Sequence, residues 1–83
     1  METIIDLLNR IRWDKKENPY DYTIYYEDRV TENNVRLEFK EILRVEGNFF
    51  VIASDSGETF IPLHRIREVR NQGISVWKRM LDK

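Results

Sequence analysis

The segment Pro62-Leu63-His64-Arg65-Ile66 places two cationic side chains next to each other. Pro62 ends the preceding strand pattern, and the i, i+3 spacing of Leu63 and Ile66 is typical of a single tight turn that buries both. That turn would present His64 and Arg65 together, and an imidazole beside a guanidinium suits a phosphate group. The alternative is that His64 packs against the sheet and Arg65 pairs with a local acid.

A second charged pair, Asp28-Arg29, ends the first predicted strand. Strand alternation points Asp28 inward and Arg29 outward. An inward carboxylate needs a partner, for which His64 or Arg12 are the candidates, and either pairing would orient a cationic group. The alternative is a purely structural ion pair. We expect Arg29, His64 and Arg65 to converge on one surface pocket near Arg12.

The tripeptide Arg12-Trp13-Asp14 follows the predicted N-terminal helix. A tryptophan at this position favours packing at the bottom of the core. The alternative is an exposed stacking face for an RNA base. The tyrosines of the first predicted strand raise the same question, and packing is the more common role for them.

The chain offers no self-sufficient catalytic site. His64 is the only histidine, which excludes acid–base catalysis by a histidine pair and a histidine-rich metal site within one chain. There are no cysteines, and the three glycines, Gly47, Gly57 and Gly73, lie in separate turns and form no phosphate-binding loop. We therefore expect no enzymatic activity, no cofactor and no metal.

Hydrophobic periodicity predicts the elements that must position these residues. The 83 residues suffice for one domain, 1–83, with a helix over about residues 3–12 capped by Thr3 and a sheet over about residues 22–79. The predicted fold is α+β, mainly β: the helix packs on a small curled antiparallel sheet or half-open barrel of five to six short strands. Residues 49–53 are uninterruptedly apolar, which predicts a central strand covered on both faces. The predicted core combines Ile4, Leu8, Ile11, Phe49, Val51 and Phe60.

The net charge of −1 argues against a general coat for nucleic acid. Residues 62–83, however, carry six Lys/Arg and two Asp/Glu, a local charge of +4, which indicates either an anionic ligand or an edge strand protected by charge. The N-terminus lacks the pattern of a signal peptide, and no apolar run approaches the ~20 residues that span a bilayer. We expect a cytoplasmic protein without a membrane partner.

Several of these segments together resemble a known family. They are Arg12-Trp13-Asp14, Tyr22-x-Ile24-x-Tyr26-x-Asp28-Arg29, Phe49-Phe50-Val51-Ile52, Ile61-Pro62-Leu63-His64-Arg65-Ile66 and Val76-Trp77-Lys78-Arg79. In this order they resemble the RNA cyclic-group end recognition domain family, small and mostly archaeal proteins, over roughly residues 4–79. The chain departs from the family pattern at Tyr25, where a glycine is expected, and a bulky side chain there would narrow an adjoining groove.

The resemblance implies an RNA-binding module that recognises RNA ends carrying a 2′,3′-cyclic phosphate, in RNA processing or repair. Related domains are fused to RNA-processing and RNA-repair enzymes, which makes such enzymes candidate partners beside RNA termini. The implied ligand-binding residues are Arg12, Asp14, Asp28, Arg29, His64 and Arg65, with Trp13 as a stacking face. The alternative function is a protein-interaction adaptor that docks partners through a sheet edge without binding nucleic acid. An enzyme using His64 as acid or base is disfavoured by the single histidine.

Overall fold

The computed structural model describes residues 3–79, which form one α-helix, seven β-strands and three short 3-10 turns. The strands make two open antiparallel sheets. In chain order the elements are α1 (Ile4–Trp13), β1 (Tyr22–Glu27), β2 (Asn34–Glu38), β3 (Ile42–Glu46), β4 (Phe49–Ser54), β5 (Gly57–Pro62), β6 (Ile66–Asn71) and β7 (Ile74–Lys78), with 3-10 turns at Pro19–Asp21, Phe39–Glu41 and Leu63–Arg65.

Helix α1 begins where the sequence predicts. The Thr3 hydroxyl accepts a hydrogen bond from the Asp6 backbone N–H at 3.2 Å, and the Asp6 carboxylate lies in the first turn, where the helix dipole favours negative charge. The helix ends at Trp13, one residue beyond the predicted end. Its apolar stripe, Ile4, Leu7, Leu8 and Ile11, is buried in the core. The helix therefore covers the sheets from one side, as predicted.

Two of the 3-10 turns carry the chain between the sheets. The larger sheet has the strand order β2-β1-β6-β7 and the smaller one β3-β4-β5. Phe39–Glu41 leads from β2 into the smaller sheet, and Leu63–Arg65 leads from β5 back to β6. Phe39 and Leu63 are both buried, so each turn is anchored in the core. These crossings explain why seven strands form two sheets, whereas the sequence suggested five or six strands in one. The predicted class, α+β and mainly β, is confirmed.

The smaller sheet confirms one part of the prediction for residues 49–53 and corrects another. β4 is its central strand, and Phe50 and Val51, which point to opposite faces, are both fully buried. Phe50 faces the core and is fully buried, whereas Phe49 and Phe60 are 41% and 47% exposed. In β4 and β5, Phe49 and Phe60 share the outer face with Val51, the Cα partner of Phe60. Val51 is fully buried, as predicted, whereas the predicted burial of Phe49 and Phe60 is wrong. An uninterrupted apolar run does not show which face is outward. With one helix to cover two sheets, the outer face stays partly open.

Candidate functional site

A groove of about 470 Å³ lies where the end of β1 meets β4 and β5. It is formed by the last residues of β1 and the turn that follows, by β4, by the edge strand β5, and by the 3-10 turn after β5. Residues far apart in sequence therefore meet here. The lining residues are Tyr26, Glu27, Asp28, Arg29, Phe49, Ile52, Thr59, Phe60, Ile61, Pro62 and Arg65.

The arginines distinguish this groove from the rest of the surface. The chain has nine arginines, all within the described residues. Seven of them donate to or pair with another group: Arg10, Arg12, Arg36, Arg44, Arg67, Arg70 and Arg79. Arg29 and Arg65 have no hydrogen-bond or ion-pair partner among residues 3–79, and both line the groove. The two guanidinium groups are therefore available to an anionic ligand at the same place.

A tight turn after β1 positions Arg29. The Asp28 carboxylate accepts a hydrogen bond from the Val30 backbone N–H at 2.9 Å, and the Asp28 backbone N–H donates to the Asn33 carbonyl at 2.9 Å. Glu32 completes the turn with φ 60°, a left-handed conformation. Asp28 was expected to pair with His64 or Arg12, and this expectation is wrong, because its carboxylate stabilises the local turn.

The 3-10 turn Leu63–Arg65 positions Arg65. Leu63 and Ile66 are buried, as their spacing predicts, and the Leu63 backbone N–H donates to the Asn48 carbonyl at 2.8 Å. This anchoring fixes the turn against β4 and directs Arg65 to the groove. His64 is exposed and does not line the groove. Contrary to the sequence prediction, the structure therefore does not present His64 and Arg65 together in the groove.

The groove also holds two carboxylates, both of which are already engaged. The Glu27 carboxylate pairs with Arg67, and that of Asp28 accepts from Val30. Tyr26 lies beside them. Burial, and then the negative charges of Asp28 and Glu41, raise the pKa of the Tyr26 phenol. The groove thus combines two guanidinium groups without partners among residues 3–79 and two carboxylates that are already engaged.

Two exposed aromatic rings complete the groove. Phe49 and Phe60 pack edge to face, with their ring centres 6.3 Å apart. The Arg44 guanidinium lies 5.8 Å from the centre of the Phe60 ring and is held by Glu46 and Glu58. These hydrogen bonds hold the pKa of the Glu58 carboxyl below its ordinary value. The sequence prediction placed Phe49 and Phe60 in the core and missed them as site residues, since spacing alone does not mark which apolar residues of a strand are exposed.

The structure does not bring Arg12, Trp13 and Asp14 into the groove. The Arg12 guanidinium donates to the Leu43 carbonyl, and the Asp14 carboxylate accepts from the Lys16 backbone N–H at 2.9 Å. Trp13 is 75% exposed, so its predicted place in the core is wrong. Its exposure is compatible with the alternative prediction, in which the ring is a stacking face for an RNA base.

Tyr25 does not narrow the groove, which it does not line. Instead, its ring lies under the Arg70 guanidinium at 4.7 Å.

Residues 3–79 contain no cluster of His, Cys, Asp or Glu that could hold a metal ion. Within the same residues, no helix has the length and apolar character needed to cross a membrane.

Comparison with known proteins identifies relatives along the whole chain. The profile of the MJ1316 RNA cyclic group end recognition domain matches residues 1–79. A UPF0248 protein of Saccharolobus solfataricus is 35% identical over 79 residues, covering 92% of this chain and 95% of the relative. A UPF0248 protein of Metallosphaera sedula is 33% identical over 81 residues, covering 98% of this chain and 97% of the relative.

No solved structure matches this chain. The family description names a recognition domain and no reaction. Because the family profile covers nearly the entire sequence, this chain belongs to the RNA cyclic group end recognition domain family.

Proposed function

We propose that the groove binds the 3′ end of an RNA whose terminal ribose carries a 2′,3′-cyclic phosphate, and that the domain performs no chemistry on it. The observation that carries the proposal is that the two arginines without partners, of nine in the chain, line one groove. Guanidinium groups bind phosphate oxygens through paired, charge-assisted hydrogen bonds. Arg29 and Arg65 would hold the phosphate between them.

The carboxylates favour a cyclic phosphate over an open one. Glu27 and Asp28 line the same groove as the two arginines. A cyclic phosphate carries one negative charge, whereas a terminal 2′- or 3′-phosphate carries nearly two at neutral pH. Glu27 is paired with Arg67, so Asp28 is the carboxylate that would repel the second charge of an open phosphate, because like charges in a partly desolvated site disfavour each other.

The size and the aromatic rings suit one terminal nucleotide. The groove volume of about 470 Å³ falls within the range of small-ligand pockets. RNA ends and single strands are commonly held by stacking of bases on aromatic side chains. Phe49 and Phe60 are exposed at the groove and would contact the terminal base.

The test is a fluorescence anisotropy titration with four RNA hexamers of one sequence. They end in a 2′,3′-cyclic phosphate, a 2′-phosphate, a 3′-phosphate or a 3′-hydroxyl group. We expect the cyclic end to bind at least about tenfold more tightly than the hydroxyl end, the value of one hydrogen bond to a charged group. Equal affinity for all four ends would contradict the proposal.

Asp28→Asn tests the charge argument separately. Asparagine keeps the side-chain oxygen that accepts from Val30 and forms the same kind of turn. The substitution removes one negative charge from the groove. We expect the preference for the cyclic end over the 3′-phosphate end to shrink in this variant, while the protein remains folded. An unchanged preference would show that Asp28 does not select the end.

The edge of β5 favours a second candidate, a protein-interaction adaptor. Among residues 3–79, β5 has a hydrogen-bonded neighbour on one side only, and it lines the groove, so an extended peptide could add to it as a further strand. The titration separates the two functions, because an adaptor of this kind would bind none of the four hexamers.

As the family resemblance implies, we place the RNA-binding function in RNA processing or repair.

A further inference from the structure

The two most exposed aromatic rings of residues 3–79 do not belong to the groove. Trp13 is 75% exposed and Tyr20 is 72% exposed. Each has a cation beside it: the Arg12 guanidinium lies 5.9 Å from the centre of the Trp13 ring, and the Lys40 ammonium lies 5.7 Å from the centre of the Tyr20 ring.

The cations of the two pairs, Arg12 and Lys40, line one small cleft. It has a volume of about 190 Å³ and is lined by Arg12, Pro19, Phe39, Lys40 and Ile42. Phe39 and Ile42 are buried and supply apolar lining beside the two cations. None of the five lining residues is acidic. The cleft therefore favours an anion, with an aromatic ring available next to each cation.

This combination is the chemistry of a single-stranded nucleic-acid contact. Sequence-independent binders of single strands pair cations for the phosphates with aromatic faces on which successive bases stack. A lone inorganic anion would use Arg12 and Lys40 but not the rings. A peptide would fit only if it supplied an acidic side chain to each cation and an apolar side chain to each ring. The rings and the cations together fit a short run of nucleotides.

The cleft lies next to the groove. Ile42 lines the cleft, Ile52 lines the groove, and these two residues are Cα partners across β3 and β4. Paired strands are about 4.8 Å apart, so only one strand pair separates the two surfaces. An RNA whose end lies in the groove needs only a few further nucleotides to reach the cleft.

We propose that Arg12, Trp13, Tyr20 and Lys40 form a second RNA-binding surface, which holds the single-stranded nucleotides that precede the bound end. This inference rests on the proposed function of the groove, because it assigns the cleft to the same RNA molecule. The groove reads the chemistry of the end. The cleft adds affinity that depends on the length of the single strand and not on the chemistry of its end.

The test is a length series. A nucleoside 2′,3′-cyclic monophosphate and RNAs of two, four and eight nucleotides with the same cyclic end are titrated against the wild-type protein, Trp13→Ala and Lys40→Ala. Lys78→Ala, which removes the same charge from β7 outside both surfaces, is the matched control. Affinity should rise with length in the wild type and in the control. Each cleft variant should lose about fivefold or more for the octamer, the lower end of one base-stacking contact, and bind the mononucleotide unchanged.

Trp13 also gives a direct readout. In a Trp77→Phe protein, Trp13 is the only tryptophan, and its exposed ring should lose fluorescence when the octamer is added but not when the mononucleotide is added. Wild-type affinity that does not change with length would overturn the second surface while leaving the groove intact. If affinity rose with RNA length but the hexamer titration showed no preference for the cyclic end, the function proposed for the groove would be rejected instead. Weakened mononucleotide binding by Trp13→Ala would also overturn the proposal, since the ring would then act through the groove or the fold.

Discussion

Replacing Arg65 with alanine removes one of the two unpaired guanidinium groups of the groove. Arg65 has no hydrogen-bond or ion-pair partner among residues 3–79, so the free protein loses no interaction of this kind. Stability should therefore stay within about 0.5 kcal/mol of the wild type. In the complex, one charge-assisted hydrogen bond to the phosphate contributes about 1.5–3 kcal/mol. The expected loss of affinity for the cyclic end is thus about 10- to 150-fold.

The assay is the anisotropy titration with the hexamer that carries the cyclic end. Arg36→Ala is the matched control, because Arg36 lies on β2 outside the groove and forms an exposed ion pair with Glu38. Arg36→Ala removes the same charge as Arg65→Ala. The affinity of this variant for the hexamer should change less than about twofold, as exposed ion pairs contribute little. Arg65→Lys keeps the charge but not the planar fork, so it should fall between alanine and wild type. Equal losses for Arg65→Ala and Arg36→Ala would refute the reasoning, since binding would then follow overall charge.

Three further outcomes concern the framework of the site. Asp28→Ala removes the acceptor for the Val30 N–H and should lower the free energy of unfolding by about 1 kcal/mol in urea denaturation, whereas Asp28→Asn should not. Gln72 has φ 51° in the two-residue turn between β6 and β7, a conformation in which asparagine is favoured. Gln72→Asn should therefore raise the free energy of unfolding by about 0.5–1 kcal/mol and the Tm by roughly 2–8 °C. Arg44 lowers the pKa of Glu58 in the folded state, so the resulting stabilisation is present above the ordinary value of 4.5 and is lost as the pH falls below it. Urea unfolding between pH 5.5 and 3.5 should show a smaller decline for Glu58→Gln than for the wild type.

Local patterns in the sequence predicted the parts of the fold that local forces determine. The Thr3 cap, the apolar stripe of α1 and the buried Leu63 and Ile66 of the 3-10 turn all follow from spacing and side-chain chemistry. The division into two sheets does not follow from spacing. It depends on where Phe39 and Leu63 are buried, and burial at a crossing between sheets is a tertiary property.

The candidate site was only partly accessible from the sequence for the same reason. Arg29 and Arg65 could be named because they stand next to a turn and a strand end, and the structure brings both to one groove. Phe49 could not be distinguished from Phe50 within an apolar run, although one is exposed and the other buried. Trp13 was misplaced because a tryptophan after a helix usually finds a core to cover, and here it does not.

The most direct test of the phosphate site is a nuclear magnetic resonance titration that follows the side-chain Nε–Hε signals of all nine arginines. A nucleoside 2′,3′-cyclic monophosphate is added, since it presents the terminal group without further nucleotides. The groove assignment predicts that the signals of Arg29 and Arg65 shift together with one dissociation constant, while those of Arg36 and Arg70 stay in place. Shifts confined to arginines outside the groove, or no shift of Arg29 and Arg65 at saturation, would contradict it.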